Sequence, residues 1–232
     1  MQLFYAPDIA TNPELPEEEA RHCTRVLRLK EGDEITLTDG KGYFYKAVIV
    51  SANQKHCTVS IIESWQQSSL WPFHLHLAVA PTKNIDRVEW FAEKATEIGV
   101  DAITCLNCHY SERRELKNAR VEKILVSAMK QSLKATLPRF TGMTNFETFV
   151  KQPFDGYKFI AHCAEGEKQL LKHACPKGEN ALVLIGPEGD FSPEEIALAV
   201  GEGFIPVSLG ESRLRTETAA LTACQTIHII NQ

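Results

Sequence analysis

The chain has 232 residues, 44% hydrophobic and 24% charged, with a formal net charge of −5. This is the composition of an ordinary globular protein, long enough for one large or two small domains. No apolar run approaches the roughly 20 residues needed to span a bilayer, and the start MQLFYAPDIATNPELPEEEA has neither a basic beginning nor an apolar signal core. Cytoplasmic residence is therefore expected. Cysteines 23, 57, 105, 108, 163, 175 and 224 are odd in number, scattered and mostly inside apolar runs, so they read as reduced core residues rather than a disulfide frame.

Residues 1–63 read as β-rich. RHCTRVLRLK (21–30) is a basic stretch within them, with Arg21, Arg25, Arg28 and Lys30 and no acid. In DEITLTDGKGYFYKAVIV (33–50), alternating apolar and polar residues flank Asp39-Gly40-Lys41-Gly42, a hairpin signal. HCTVSIIES (56–64) predicts another strand, and short strands punctuated by glycine fit a small barrel. The polar stretch SWQQSSLWP (64–72) predicts a linker.

After Pro72 strands and helices alternate. HLHLAVAP (74–81) is strand-like, and IDRVEWFAEKATEIG (85–99) puts Val88, Phe91, Ala92, Ala95 and Ile98 on one helical face before Gly99. AITCLNC (102–108) is a second strand. A long basic helix marked by Val121, Ile124, Leu125 and Ala128 is expected to end at Pro138. From His109 to Arg139 there are eight Lys or Arg against three Glu. Such stretches are either solvated helix faces or surfaces that meet phosphate, and local rather than net charge decides which. GYKFIAHCA (156–164), ALVLIG (181–186) and IPVSLG (205–210) give three more strands. Ser192-Pro193-Glu194-Glu195 is a capping box with proline at the first helical position. The last helix is expected to bury Ala220, Ala223, Cys224, Ile227 and Ile230. The alternation indicates an α/β domain with a largely parallel sheet.

Several chemistries lack their signatures: there is no GxGxxG, no GxxxxGK[ST] and no GxSxG. Cys105-x-x-Cys108-His109 matches haem attachment, but that requires export, and zinc would need a second cysteine pair. What stands out is a pair of glycine-bearing loops, each leaving an apolar strand. Gly186-Pro187-Glu188-Gly189 precedes the capped helix. Gly210 precedes Arg213, Arg215, Thr216, Glu217 and Thr218. Loops at strand ends build the ligand crevice of an open α/β sheet, and two arginines there suit an anionic partner.

IGPEGDFSPEE followed by LGESRLRTETAALTA resembles the AdoMet-binding signature of the RsmE-type ribosomal RNA uridine N3-methyltransferases of the SPOUT superfamily. EKATEIGVDAI (93–103), YSERREL (110–116) and HCTRVLRLKEGD (22–33) are similar to further stretches of that family, so the resemblance spans nearly the whole chain. It implies a PUA-like, RNA-binding β-barrel over 1–70. Over 73–232 it implies a SPOUT methyltransferase domain, a parallel α/β sheet with a C-terminal trefoil knot. One departure is local. Many members carry an acid, Gln and then a base where this chain reads Lys130-Gln131-Ser132-Leu133-Lys134.

The resemblance further implies methyl transfer from S-adenosylmethionine to N3 of a specific uridine in 16S ribosomal RNA, free or in the small ribosomal subunit. It implies a homodimer needing no metal. Ile185, Gly186, Pro187, Glu188, Gly189, Leu209, Gly210, Leu214, Thr216, Thr218 and Ala219 would hold the cofactor. Arg215 would stabilise charge on the pyrimidine, and Glu217 would accept the proton or orient Arg215. Arg21, Arg25, Arg28, Arg113, Arg114 and Lys130 would contact RNA. Methylation of another RNA position such as the 2′-hydroxyl, a non-catalytic RNA-binding protein, and a small-molecule nucleotide enzyme are the alternatives. The intact IGPEG and LRTETA pair weighs against a mere scaffold.

Overall fold

The computed structural model describes residues 2–53 and 55–232, which fall into two compact units. The first extends to Ser69 and also takes in Val126–Leu137; the second is Leu70–Leu125 with Pro138–Gln232.

In the first unit, β1 (Leu3–Tyr5), β2 (Glu34–Thr38), β3 (Tyr43–Ala52) and β4 (Cys57–Gln66) form a sheet in that order. β1 pairs parallel with β2, and the other two pairings are antiparallel, so the expected small barrel takes the form of a four-stranded mixed sheet. The predicted hairpin is present. One carboxylate oxygen of Asp39 accepts the N–H groups of Lys41 (2.7 Å) and Tyr43 (3.1 Å), and the other accepts the Tyr45 hydroxyl (3.1 Å). The Asp side chain thus satisfies turn donors that no strand partner reaches. Helix α1 (Glu17–Arg21) runs into a π-helical turn, His22–Val26, which buries Cys23 beside Phe4, Ile9, Leu37 and Ile49. The π turn leaves Arg21, Arg25 and Arg28 exposed.

Residues 126–137 join this unit through backbone. The Ala135 carbonyl accepts the N–H of Gly42 (2.9 Å) and the Thr38 hydroxyl (3.1 Å), and Leu137 N–H donates to Gly40 O (2.9 Å). Two expectations are corrected here. The predicted linker is strand through Gln66, and Gln67 is fastened next to it: its Oε1 accepts Ala135 N–H at 2.7 Å. The basic helix α3 (Asn118–Gln131) stops well before Pro138. Leu133 adopts a left-handed φ of 53°, and Lys134 N–H donates to Met129 O at 3.0 Å. This closes the helix as glycine usually does, with no glycine to mark it.

The second unit holds seven parallel strands: β5 (Leu75–Val79), β6 (Ala102–Asn107), β7 (Arg139–Asn145), β8 (Tyr157–Ala161), β9 (Gln169–Leu170), β10 (Ala181–Ile185) and β11 (Ile205–Ser208). Their order is β7-β6-β5-β10-β8-β11-β9. The last two strands in sequence are therefore interior strands of the sheet. β10 is buried at every position, as a strand covered on both faces must be. Helices α2 (Ile85–Ile98), α4 (Phe146–Val150), α5 (Leu171–Ala174), α6 (Pro193–Gly201) and α7 (Thr216–Ile230), with α3 as far as Leu125, complete the unit. The Ser192 capping box is formed in full. α7 buries Ala220, Ala223, Cys224 and Ile227 as expected, while Ile230 at its end stays half-buried. Among the described residues no helix is long and apolar enough to cross a membrane.

Gly99 ends α2 with φ 133°, and a Cβ there would lie 2.6 Å from the Trp71 ring and 2.8 Å from His228. Its carbonyl also accepts from His228 Nε2 (2.6 Å). Gly99→Ala should destabilise the protein by more than about 1 kcal/mol, since both backbone and contact oppose it. Urea unfolding checks this; an unchanged midpoint would show that the junction yields freely. A second expectation concerns acid. Burial, with smaller contributions from His74 and Arg139, holds the His76 imidazole down to about 4. The unfolded chain takes up that proton from an ordinary value near 6.5, so the unfolded state binds more protons between these limits. Stability should fall as pH drops from 6.5 toward 4. His76→Asn should flatten that stretch of the stability curve, and parallel curves would remove His76 as its cause.

Candidate active site

The carboxyl ends of the adjacent strands β10, β8 and β11 open into one crevice, the usual ligand position of an open α/β sheet. A cavity of about 390 Å³ is lined by Ala161 and Cys163 at the end of β8, Ile185–Asp190 at the end of β10, and Arg213–Thr216 with Ala219 after β11. A second recess, about 520 Å³, shares Ala161, Cys163, Arg213, Leu214 and Ala219 and extends over His162, Lys168 and Val207–Ser212. Both fall within the range of small-molecule sites.

The three loops are locked to one another. Asp190 holds a left-handed φ of 66° after Gly189. Its N–H donates to Pro187 O (2.9 Å), one carboxylate oxygen accepts Phe191 N–H (2.8 Å), and the other accepts Cys163 N–H (2.7 Å). One short acid therefore closes its own turn and fixes the neighbouring loop. The Thr216 hydroxyl, buried in the first turn of α7, donates to Gly186 O at 3.1 Å and ties the third loop to the first. Glu188 Oε1 accepts Lys83 N–H (2.9 Å) from the loop after β5. Glycine at 189 allows close approach, because a Cβ there would lie 3.0 Å from Tyr110 Cβ.

The sequence-predicted residues divide by position. Ile185, Gly186, Pro187, Glu188, Gly189, Leu214, Arg215, Thr216 and Ala219 line the first cavity. Leu209 and Gly210 line the second. Thr218 lines neither. Glu217 turns to the opposite flank of α7 and borders a small apolar void with Val88, Phe91 and Phe140. There one oxygen lies 3.6 Å from an Arg87 guanidinium nitrogen, while the other is buried without a partner among the described residues. Arg215 stands just outside α7 as its cap residue, and its side chain makes no capping bond.

Of the expected RNA contacts, Arg25 and Arg28 are exposed, with no ion pair among the described residues, whereas Arg21 pairs with Glu17 at 2.9 Å. Lys130 binds Glu19 (2.5 Å) within the same unit. Arg113 is committed to backbone: it donates to the carbonyls of Thr82 (3.1 Å) and Lys83 (2.5 Å). Arg114 is exposed beside a recess of about 450 Å³ that His109 and Asn145 also line.

Sequence reading passed over His162 and Asp190 and took Cys163 for a core residue, whereas it is exposed. Both ring nitrogens of His162 are buried without partners among the described residues, and burial, then nearby Lys168, lowers its affinity for a proton. Only Asp190 carried a usable signal, an acid beside glycine at a strand exit. Cys105 and Cys108 are buried, and burial pushes their thiols up, Cys105 to about 12. Among the described residues no group of three or more His, Cys, Asp or Glu is placed to hold a metal ion.

The family described as an RNA methyltransferase domain matches residues 69–228, and that described as an RNA methyltransferase PUA domain matches residues 15–62. A "probable rRNA-methyltransferase" from Porphyromonas gingivalis has a crystal structure 46% identical in sequence, with a TM-score of 0.95, covering 100% of this chain and 98% of that one. Ribosomal RNA small subunit methyltransferase E from Neisseria gonorrhoeae, bound to S-adenosyl methionine, is 27% identical with a TM-score of 0.85, covering 100% and 98%. The Bacillus subtilis ribosomal RNA small subunit methyltransferase E is 27% identical over 90% of this chain and 87% of its own. With both domains matched and the loop-lined crevice in place, the chain belongs to the RsmE-type family of ribosomal RNA methyltransferases in the SPOUT superfamily.

Proposed function

We propose that this protein methylates N3 of a uridine in the RNA of the small ribosomal subunit, using S-adenosylmethionine. The observation that carries this reading is the crevice, in which backbone of three mutually bonded loops meets Arg215 at the mouth of α7. The residues fit the cofactor. The walls combine glycine and apolar residues (Ala161, Ile185, Gly186, Pro187, Gly189, Leu214 and Ala219), which admit an adenosyl group closely, with charged groups that suit its polar parts, and the volume is ample. Ile185–Gly189, Leu209, Gly210, Leu214, Thr216 and Ala219 would hold it. When bound, it supplies an electrophilic methyl group with an excellent leaving group.

The protein's task is on the acceptor. Uridine N3 is a poor nucleophile while it carries the imide proton, and losing that proton spreads negative charge over O2, N3 and O4. The Arg215 guanidinium, beside the uncapped start of α7, is the group positioned to stabilise that charge. Glu217 faces Arg87 rather than the cavity. We therefore assign it to anchoring the first turn of α7, and so the orientation of Arg215, with the proton leaving through water. Arg25 and Arg28 supply phosphate contacts on the N-terminal unit.

The same reading includes a cytoplasmic homodimer, in which exposed Trp90 on α2 and Ile229 on α7 are apolar groups a second copy would cover. It also includes a trefoil knot, which the late insertion of β10 and β11 and the bond from Thr216 to Gly186 support.

The test is incubation with tritiated S-adenosylmethionine and small ribosomal subunits lacking the modification, followed by nucleoside mapping. Label in 3-methyluridine is expected; label in another nucleoside would replace the assigned atom. In the same assay Arg215→Ala should lose roughly 100-fold in turnover, the scale of one lost charge-stabilising donor. Glu217→Gln should lower thermal stability more than turnover. If Arg215→Ala turns over normally, Arg215 has no part in the chemistry.

A further inference from the structure

Residues 108–111, at the carboxyl end of β6, form a turn held from several sides. Ser111 N–H donates to Cys108 O (3.1 Å), Cys108 N–H to the Ser111 hydroxyl (3.0 Å), and His109 N–H to Glu195 Oε1 (2.8 Å). The following residues are fixed as well, since Arg113 grips the carbonyls of Thr82 and Lys83, and Lys83 N–H in turn binds Glu188. The turn carries Tyr110. One side of this residue rests on Gly189, in the wall of the donor cavity, and its ring meets His109 edge-to-face with centroids 4.6 Å apart. Even so, 48% of Tyr110 is exposed. The rest of the site leaves unexplained why a large aromatic is held rigidly at the rim of the cavity and not covered.

We propose that Tyr110 is a stacking platform for an unstacked base of the RNA substrate, beside the donor cavity. This inference rests on the function proposed above and extends it to how the acceptor is held. N3 lies on the edge of a pyrimidine, so in-line methyl transfer requires the base to present its edge to the donor. Its two faces are then free and have lost their neighbours in the RNA stack. An aromatic ring replaces such a neighbour, as it does in other single-strand recognition, without reading the base's hydrogen-bonding edge. Gly189 belongs to the arrangement, because a Cβ there would lie 3.0 Å from the Tyr110 Cβ and press the base of this side chain away from the donor-cavity wall.

The test measures kcat/KM for labelled transfer to small ribosomal subunits by wild type, Tyr110→Ala and Tyr110→Phe, together with S-adenosylmethionine affinity by calorimetry. Tyr110→Ala should lose roughly 10- to 100-fold in kcat/KM, the scale of one lost base–aromatic stack, with cofactor affinity unchanged. Tyr110→Phe, which keeps the ring, should stay near wild type. A wild-type kcat/KM in Tyr110→Ala overturns the platform. So does a parallel loss of cofactor affinity, which would mark Tyr110 as a mere prop for the Gly189 loop. Absence of transfer by wild type to any RNA is a separate result: it removes the function reading itself, and the platform with it.

Discussion

The site depends on one topological constraint: β10 and β11, late in the chain, lie between strands that precede them, β5 and β8 in one case and β8 and β9 in the other. Because all these strands are parallel, their carboxyl ends share one edge of the sheet. Three loops that are far apart in sequence are thereby forced together over the same few ångströms. The complete burial of β10 is the energetic side of this arrangement. Leu182, Val183, Leu184 and Ile185 are each worth about 1.5–3 kcal/mol when removed from water, a gain available only once the strand is inserted. Such non-local pairing is slow to form, because loop-closure entropy is lost before the contacts are made.

Convergence alone would give a floppy crevice, since loops carry backbone groups that no sheet partner satisfies. Polar side chains do that work. Asp190 takes donors from its own turn and from the β8 loop, Thr216 donates to Gly186, and Glu188 accepts from the β5 loop. Arg113 extends the network by fixing the β5 loop against its own. A cavity built this way is preformed, and preorganisation is where much catalytic advantage resides when the reaction is a transfer between two bound groups.

How much of this could be read beforehand follows the range of the interactions. The hairpin at Asp39-Gly40, the Ser192 capping box and the end of α2 at Gly99 are local, and each is written in a few adjacent residues. Most cavity residues could also be named, because the motifs sit on the loops themselves. Strand order could not be read, since no residue in ALVLI declares that its neighbours will be LHLAV and YKFIA. The direction of Glu217 was equally hidden. It adjoins Thr216, which lines the cavity, yet its carboxylate lies toward Arg87 because successive helical positions are rotated by about 100°. The stop of α3 at Gln131 was missed because Leu133 performs a turn usually given to glycine.

The same distinction governs the basic residues. A sequence offers only their count, and the count at 109–139 fits solvated helix faces as well as a surface that meets phosphate. The structure divides these charges by what they touch. Lys130 is held by Glu19, and Arg113 is occupied by two carbonyls. Arg25, Arg28 and Arg114 remain exposed. A guanidinium already bonded to carbonyl groups would have to give up those bonds to take a phosphate, whereas an unpaired exposed one exchanges only water and counterions. Affinity for RNA should therefore rest on the exposed subset. Arg113 is instead bonded to the β5 loop, whose Lys83 N–H donates to Glu188 in the wall of the cavity.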